Sequence, residues 1–365
     1  MSWALDLVDT PALVTDMDVV AENLRRMQAD ADRAGLHMWP HTKTHKLPSL
    51  AERQLALGAA GITVSKLGEA EVMADSGLGP ILLHYPPVGE AKVRRLAALL
   101  ERGVKMRVAL DSPEAADACA RAAAMADAEV EVLVEVDTGL HRVGRPPGPE
   151  VLAVARHVAA QPGLRYRGLT SYAGHISDFP DEAGRMAVIT TENEILAAER
   201  ERLGRAGLAP EVVSVGGTHH GARMAAISGA TDIRPGTYVY NDRNTLLAGS
   251  CREQDLAAAV LVTVVSANEG WAVVDGGSKT FSKDPSPAGG FGLVRGRPEL
   301  SLERMNEEHG VLTWPAGARP LTVGERVFIV PNHICATVNL HDRVAQARGG
   351  RVERWVAVAG RGRLQ

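Results

Sequence analysis

The sequence predicts an α/β protein built as a (β/α)8 TIM-like barrel followed by a C-terminal β-domain. From residue 11 to residue 245, helical and strand-like segments alternate, with eight strand candidates that mostly leave room for a crossover helix. After residue 245, short strand-like runs follow one another between Gly, Pro and Asn turns. Such alternation indicates a parallel sheet, and eight units in this span suit a closed barrel of about 250 residues. A doubly wound open sheet is the alternative architecture.

The predicted barrel elements follow the hydrophobic pattern of the chain. Residues 19–34, for example, carry apolar side chains at helical spacing and end at Gly35, a residue type that often terminates helices. The predicted barrel strands are residues 36–40, 62–64, 81–84, 106–110, 132–136, 165–172, 212–215 and 232–234. The predicted helices include residues 19–34, 46–57, 90–101, 114–126, 151–160 and 182–203.

Two domains are predicted, the barrel over residues 11–245 and the β-domain over residues 246–365. The predicted strands of the β-domain are residues 257–266, 271–274, 310–314, 326–330 and 352–359. No strong amphipathic helix is visible in this part of the sequence. Residues 11–15 can add a strand to the β-domain, and we expect residues 1–10 to join it.

Composition argues against several classes of function. The formal net charge is −4 and no long basic run occurs, so nucleic acid is not an expected partner. No apolar stretch reaches the roughly 18 to 20 residues of a membrane helix, and no membrane partner is expected. The N-terminal residues lack the basic start and apolar run of a secretory signal. Three cysteines, an odd and sparse set, indicate a reducing compartment, and we expect a cytoplasmic protein.

The densest polar cluster in the sequence is the run PHTKTHK at residues 40–46, directly after the first predicted strand. Active sites of such barrels lie at the C-terminal ends of the strands. Lys43 at this position can bind a cofactor aldehyde covalently. The alternative is a solvated basic loop, but the two histidines and the second lysine in the same loop favour a functional role.

Two glycine-rich turns, residues 214–218 and 234–238, follow the last two predicted barrel strands. Glycine lets backbone N–H groups approach an anion, and a helix that begins after the turn adds a favourable dipole. The loops after strands seven and eight are also the usual phosphate site of this fold. The candidate phosphate-binding residues are Gly216, Gly217, Thr218, Gly236, Thr237 and Tyr238.

Further candidate site residues follow the fifth and sixth predicted strands. Arg142 can face the phenolic oxygen of the cofactor through a charge-assisted hydrogen bond, although its spacing favours an ion pair with Asp137. Tyr172 can touch a pyridine ring, and His175 can act in acid–base chemistry. A core tyrosine and a capping histidine are the ordinary alternatives for these two residues.

The β-domain contributes His333 and Cys335, two residues apart in the run PNHIC. On a strand, such residues share one face and can point at one site. Imidazole and thiolate together suit zinc. The alternative for this short motif is a packing role.

The chain resembles the fold-type III pyridoxal-phosphate enzymes of the D-threonine aldolase and D-serine dehydratase family. The resemblance runs from residues 10–13 (TPAL) to residues 361–363 (RGR). Its most specific segments are residues 40–46, residues 307–310 (EEHG) and residues 331–342. Members are similar to alanine racemase in the barrel and carry a metal site beside the pyridoxal 5'-phosphate.

The resemblance implies a role for each candidate residue. Lys43 bears the cofactor, Arg142 lies near its phenolic oxygen and Tyr172 near its pyridine nitrogen, while the two glycine-rich turns hold its phosphate. His333 and Cys335 match the ligands of a divalent metal, with zinc favoured and manganese or magnesium as alternatives. Ala336 stands where the family often has proline. The resemblance also implies a head-to-tail homodimer, with the β-domain of one subunit facing the barrel of the other.

The implied activity is that of a metal-dependent lyase acting on small 3-hydroxy-D-amino acids. Dehydratase-like elimination is favoured, because the aldolase branch carries aspartate in place of the cysteine ligand. Retro-aldol cleavage to glycine and an aldehyde is the alternative. Lys43 is the candidate base for elimination, and His175 and a metal-bound water are the candidate bases for retro-aldol cleavage.

Two remote alternatives are a racemase and a non-catalytic pyridoxal-phosphate carrier. Alanine racemases take a second base, a tyrosine, from the β-domain, whereas every tyrosine of this chain precedes residue 246. A carrier needs no metal pair.

Overall fold

A computed structural model describes residues 3–5 and 8–365 of the chain. The chain divides into two compact units. The β-unit comprises the described part of residues 1–25 together with residues 44–47 and 237–362, and the barrel unit comprises residues 26–43, 48–236 and 363–365. The domain boundary at residue 245 stays a prediction, and residues 1–2 and 6–7 of the predicted N-terminal addition lie outside the described residues.

The described residues form strands and helices that we number in chain order. The strands are β1 (Trp3–Ala4), β2 (Ala12–Asp16), β3 (His37–Met38), β4 (Ile62–Val64), β5 (Ile81–Leu83), β6 (Met106–Leu110), β7 (Val130–Val136), β8 (Leu164–Ser171), β9 (Val212–Val215), β10 (Asp232–Ile233), β11 (Ala258–Asn268), β12 (Trp271–Val274), β13 (Gly292–Val294), β14 (Ser301–Met305), β15 (Gly310–Thr313), β16 (Arg326–Pro331), β17 (Arg343–Arg348) and β18 (Arg351–Ala357). The α-helices are α1 (Met17–Ala34), α2 (Pro48–Ala56), α3 (Leu67–Asp75), α4 (Glu90–Glu101), α5 (Pro113–Ala126), α6 (Pro149–Ala160), α7 (Glu182–Arg205), α8 (Thr218–Gly221), α9 (Arg243–Leu247), α10 (Ser278–Phe281) and α11 (Ile334–Leu340).

The barrel unit contains an eight-stranded parallel sheet that closes on itself. Its strand order is β3-β10-β9-β8-β7-β6-β5-β4, and every strand pair is parallel. The two ends of this series meet beyond β3, where Thr63 N donates to Pro40 O and Thr42 N donates to Thr63 O, both over 2.8 Å. The predicted (β/α)8 barrel is therefore confirmed, and the open sheet is excluded.

Hydrophobic burial explains why these segments became strands and helices. All residues of β6 are buried, as expected for a parallel strand covered on both faces. The adjacent helix α5 begins where the Ser112 hydroxyl accepts a hydrogen bond from Ala115 N, with Pro113 in its first turn. Within the described residues, no helix is long and apolar enough to cross a membrane.

The β-unit contains a ten-stranded sheet in the order β1-β18-β17-β2-β11-β12-β15-β14-β13-β16, with a further pairing of β11 to β16. The strand expected near residues 11–15 is present as β2, which pairs antiparallel with β11 and parallel with β17. The sequence analysis missed β13, β14 and β17. These strands are short or rich in arginine, so their hydrophobic alternation is weak.

The prediction that His333 and Cys335 lie on a strand is wrong. Strand β16 ends at Pro331, and helix α11 begins at Ile334 with His333 at its N-cap position. Specific hydrogen bonds favour the helix over the extended chain: the buried Asp242 carboxylate accepts from Ile334 N, and the Thr337 hydroxyl donates to His333 O. The β-unit thus contains helical segments that hydrophobic periodicity alone did not reveal.

Candidate active site

Lys43 lies in the loop that follows β3, at the C-terminal end of the barrel strands. Its backbone N–H points to His41 Nδ1 at 3.4 Å, and the side chain is half-buried. Its ammonium nitrogen is 6.0 Å from the centroid of the Tyr172 ring, which follows β8. The structure therefore brings together two residues that the sequence places 129 positions apart.

The Tyr172 ring is held between two glycines and covered by an arginine. A Cβ atom added at Gly174 would lie 2.5 Å from Tyr172 Cε1, and one at Gly217 would lie 3.2 Å from Cε2. The Arg142 guanidinium is 4.7 Å from the ring centroid. Asp137, the alternative partner suggested by spacing, forms its short contact with His141 Nδ1 at 2.7 Å. The geometry thus associates Arg142 with Tyr172.

His175 lies against the loop that carries Arg142. A Cβ at Gly139 would approach His175 Cε1 to 3.2 Å, and Gly139 has a φ of +119° that favours glycine. His175 Nδ1 is buried and has no hydrogen-bond partner among the described residues. A buried polar nitrogen without a partner is costly unless a ligand or water satisfies it. His175 is therefore suited to contact a bound molecule.

The first glycine-rich turn has a backbone that only glycine adopts without strain. Gly216 has a φ of +84°, and a Cβ there would lie 2.8 Å from His220 Cβ. Gly217 precedes Thr218, which is buried at the start of the four-residue helix α8. The helix that follows this turn is thus a single helical turn.

The second glycine-rich turn is divided between the two units. Gly236 belongs to the barrel unit, whereas Thr237 and the buried Tyr238 belong to the β-unit. Thr237 Oγ1 lies 3.7 Å from Cys335 Sγ. Thr237 thus contacts a residue of the candidate metal pair, a contact that the sequence analysis did not foresee.

A buried group of ionisable residues lies at the same barrel end, and two of its members, His84 and Glu135, were not identified as site residues by the sequence analysis. Burial, followed by the positive charge of Lys43, lowers the pKa of His41 well below its usual value, and burial with Arg234 does the same for His84. Burial raises the pKa of Glu135 to about 7 and lowers that of Arg234 to about 10. Each follows or ends a barrel strand, which is the signal that could have identified them.

The candidate metal residues form a compact polar cluster within the β-unit. His333 Nδ1 lies 3.3 Å from Asp242 Oδ2, and Cys335 Sγ lies 3.1 Å from Thr44 Oγ1. His333 and Cys335 are also hydrogen-bonded to each other, and the Cys335 sulfur, ahead of Asp242, raises the pKa of His333 well above its usual value. Across residues 3–5 and 8–365, no group of three or more His, Cys, Asp or Glu side chains has metal-binding geometry. His333 and Cys335 therefore stay a candidate pair of metal ligands.

Comparison with known proteins assigns both halves of the chain to described families. Residues 15–244 match the alanine racemase N-terminal domain, and residues 257–346 match the putative serine dehydratase domain. An alanine racemase from Bacillus anthracis superposes with a TM-score of 0.69 at 15% identity over 96% of this chain and 98% of its own, a likeness of fold alone.

Relatives that match over the full length include enzymes of two reaction types. A D-threonine aldolase from Arthrobacter is 34% identical, over 97% of this chain and 93% of its own length. A D-threo-3-hydroxyaspartate dehydratase from Delftia is also 34% identical, over 99% of this chain and 100% of its own. The crystal structure of a D-threonine aldolase from Filomicrobium marinum superposes with a TM-score of 0.93 at 33% identity, over 100% and 99% of the two chains.

Two solved structures of a D-threo-3-hydroxyaspartate dehydratase carry single substitutions. One replaces a histidine by alanine and the other replaces a cysteine two positions later, and the cysteine variant is in a metal-free form. Both structures superpose on this chain over at least 97% of its length, with TM-scores of 0.90 and 0.89.

Proposed function

Because the chain belongs to the pyridoxal-phosphate enzyme family that joins an alanine racemase N-terminal domain to a serine dehydratase domain, we propose that it is a lyase of 3-hydroxy-D-amino acids. Three of its full-length relatives, a D-threonine aldolase, a D-threo-3-hydroxyaspartate dehydratase and a 3-hydroxy-D-aspartate aldolase, act on substrates of this class. The single observation that carries the proposal is the position of Lys43 beside Tyr172 at the C-terminal end of the barrel.

The residues around Lys43 fit pyridoxal 5'-phosphate. Lys43 supplies the amine, and Gly216 and Gly217 leave open a cradle that a Cβ atom would fill, where an anion can approach the backbone. Arg142 and Tyr172 provide a cationic and an aromatic surface that are already in contact. When bound, the pyridoxal ring supplies an electron sink for the bond that breaks at the substrate Cα.

The side chains of this chain supply the proton transfers and the orientation of the substrate. In an elimination, the Lys43 amine would take the proton from the substrate Cα. In a retro-aldol cleavage the proton is taken instead from the substrate hydroxyl, and His175 is a candidate base because its Nδ1 is buried without a partner among the described residues. The identity of the proton removed determines which bond breaks.

The His333–Cys335 pair fits a divalent metal, with zinc favoured over manganese and magnesium. Imidazole nitrogen and thiolate sulfur are the ligand types that zinc prefers, and the two side chains already contact each other. A metal held there supplies a Lewis acid for the substrate hydroxyl.

We favour elimination over retro-aldol cleavage. The relative whose histidine and cysteine, two positions apart, were replaced is a dehydratase, and its cysteine variant is in a metal-free form. His333 and Cys335 have the same residue types at the same spacing. Retro-aldol cleavage is the second candidate, supported by the D-threonine aldolase that is 34% identical over the full length.

Product analysis tests the proposal. The purified enzyme is incubated with D-serine, D-threonine and D-threo-3-hydroxyaspartate, and separately with the L-enantiomers of serine and threonine. Elimination yields pyruvate from D-serine and 2-oxobutanoate from D-threonine, each with ammonia, whereas retro-aldol cleavage yields glycine and acetaldehyde from D-threonine. Turnover of the L-enantiomers without D-activity contradicts both reactions.

We also infer that the enzyme works in the reducing cytoplasm. None of its three cysteines is in a disulfide bond, and Cys335 is needed in the reduced form as a metal ligand. Cys119 is buried, and burial raises the pKa of its thiol to about 12, so it is kept as an unreactive core residue.

A further inference from the structure

Asp242 occupies a position from which it can control the orientation of His333. Its side chain is fully buried, and its Oδ2 atom lies 3.3 Å from His333 Nδ1. The same Oδ2 accepts a hydrogen bond from Ile334 N at 3.1 Å, while Oδ1 accepts one from Thr245 N at 2.8 Å. The carboxylate is therefore anchored by two backbone donors, so it presents a fixed acceptor to the imidazole.

A fixed acceptor at Nδ1 determines which imidazole nitrogen can bind a metal. A neutral imidazole carries one proton, and the nitrogen that donates it to a neighbour cannot also be a ligand. With Nδ1–H directed at Asp242, the lone pair lies on Nε2. A carboxylate behind a ligating histidine fixes the tautomer and the ring orientation and raises the basicity of the ligand.

We propose that Asp242 is a positioning residue that holds His333 in the Nδ1–H tautomer, so that Nε2 coordinates the metal together with Cys335. The inference deepens the proposed function, on which it rests, by naming a residue outside the two-ligand pair. The carboxylate acts from behind the histidine, in agreement with the finding that no cluster of three metal-binding side chains occurs in the described residues.

The proposed cysteine ligand has polar neighbours of its own, which differ from the carboxylate that contacts His333. Thr44 Oγ1 lies 3.1 Å and Thr237 Oγ1 3.7 Å from Cys335 Sγ. Asp242 therefore acts directly on the His333 imidazole, and it reaches Cys335 only through the Ile334 N–H at the start of helix α11.

The decisive measurement is metal affinity in an Asp242→Asn variant. The asparagine side chain has the volume of the aspartate side chain. If its oxygen accepts the hydrogen bond from Thr245 N, its NH2 group faces Ile334 N and His333. That group favours the His333 tautomer that carries its proton on Nε2. A protonated Nε2 has no lone pair to donate, so it cannot coordinate the metal. We expect Zn²⁺ or Co²⁺ affinity of the chelator-treated holoenzyme, measured by calorimetry and by the cobalt–thiolate absorbance, to fall about 10- to 100-fold.

Thr245→Ala is the matched control, because Asp242 also caps helix α9. Asp242 and Thr245 form a reciprocal capping box, so the alanine variant weakens the same helix start without touching the carboxylate–histidine contact. We expect a lower Tm with metal affinity within about twofold of wild type. Unchanged affinity in Asp242→Asn, or equal losses in the two variants, would refute the proposal.

A second measurement on the wild-type chain keeps the inference testable if Asp242→Asn does not fold. In the zinc-loaded enzyme with ¹⁵N-labelled histidine rings, His333 is expected to carry its proton on Nδ1 and to bind metal through Nε2. Metal bound through Nδ1 overturns the proposal. Both measurements use the metal alone, so they remain decisive even if the enzyme proves inactive on every D-amino acid tried.

Discussion

Lys43 and Lys46 are three residues apart in one loop, yet they have different surroundings. Lys43 Nζ lies near the Tyr172 ring, whereas the buried Lys46 donates a hydrogen bond from Nζ to Asn339 Oδ1 at 2.8 Å. The Lys46 backbone also has a φ of +54°, a left-handed conformation that is uncommon for a residue other than glycine. The loop thus uses one lysine for structure and leaves the other beside the aromatic ring.

We predict that borohydride reduction of the holoenzyme fixes the cofactor on Lys43. Peptide mass spectrometry should find the pyridoxyl group on Lys43 in the wild type and nowhere in a Lys43→Ala variant, which should also lose lyase activity. Lys46→Arg is the control, since it keeps a donor for Asn339 and should still be labelled at Lys43. Label on Lys46 would show that the assignment is wrong.

Glu135 should make stability depend on pH. Because its pKa is about 7 in the folded protein and its ordinary value is 4.5, the native state holds a proton that the unfolded chain releases between these values. The free energy of unfolding should therefore fall as pH rises from about 4.5 to 7 and stay lower above it. Glu135→Gln removes this loss, and we expect it to stabilise the protein at pH 8 by on the order of 1 to 3 kcal/mol, measured by urea unfolding.

Glu131, on the same strand β7, provides the opposite control. It forms ion pairs with Arg107 and Arg167 at 2.8 and 2.7 Å. Glu131→Gln should lower stability at pH 8. If Glu135→Gln is destabilising to the same degree, the buried carboxyl is ionised and paired in the native state, contrary to the prediction.

At the scale of elements, the turn after β9 determines how closely an anion approaches the backbone. Gly216→Ala adds a Cβ 2.8 Å from His220 Cβ at a φ of +84°. The left-handed conformation alone costs a non-glycine residue about 1 to 2 kcal/mol. We expect about tenfold weaker binding of pyridoxal 5'-phosphate, measured by absorbance titration of the apoenzyme.

Gly35→Ala separates backbone strain from the effect on the site. Gly35 ends helix α1 with a φ of +67°, and a Cβ there meets no atom within 4 Å. This variant should lower Tm but leave cofactor affinity unchanged. Equal cofactor affinities for the two variants would argue against a phosphate site at Gly216.

The strands and helices also show where the local hydrophobic pattern is sufficient to predict an element and where it is not. The predicted strands at residues 62–64, 106–110 and 212–215 coincide with β4, β6 and β9, because buried parallel strands are short apolar runs between turns. Helix α11 was not predicted, because it is short and its first N–H is bound by Asp242, which is far away in sequence.

At the scale of the whole molecule, the proposed cofactor site and the proposed metal site use different residues. Chelation of the holoenzyme should reduce lyase activity on the order of 100-fold or more, while the absorbance of bound pyridoxal 5'-phosphate remains. Cys335→Ala should behave like the chelated enzyme, and adding Zn²⁺ should restore only the wild type. Full activity of Cys335→Ala without added metal would return His333 and Cys335 to a packing role.

The assembled enzyme is predicted to be a homodimer, as the family resemblance implies. Light scattering at micromolar concentration should give twice the 38.7 kDa mass of one chain. A fully active particle with the mass of a single chain would contradict this prediction.

The sequence by itself determined the barrel and the β-rich C-terminal part, and it predicted Lys43 and the two glycine-rich turns as site residues. These features depend on hydrophobic periodicity and turn chemistry, which neighbouring residues specify. The family resemblance added the pairing of His333 with Cys335.

Only the tertiary structure decided which polar residues converge. His84 and Glu135 belong to different parts of the barrel sheet, and both are buried close enough to Arg234 for its charge to affect them. Asp242 accepts a hydrogen bond from Ile334 N, 92 positions later in the sequence. Contacts of this kind are absent from any local pattern, because chain folding sets the distance between residues remote in sequence. Burial then shifts the pKa values of His84, Glu135 and Arg234 by removing water, and the degree of burial is not contained in any local stretch of sequence.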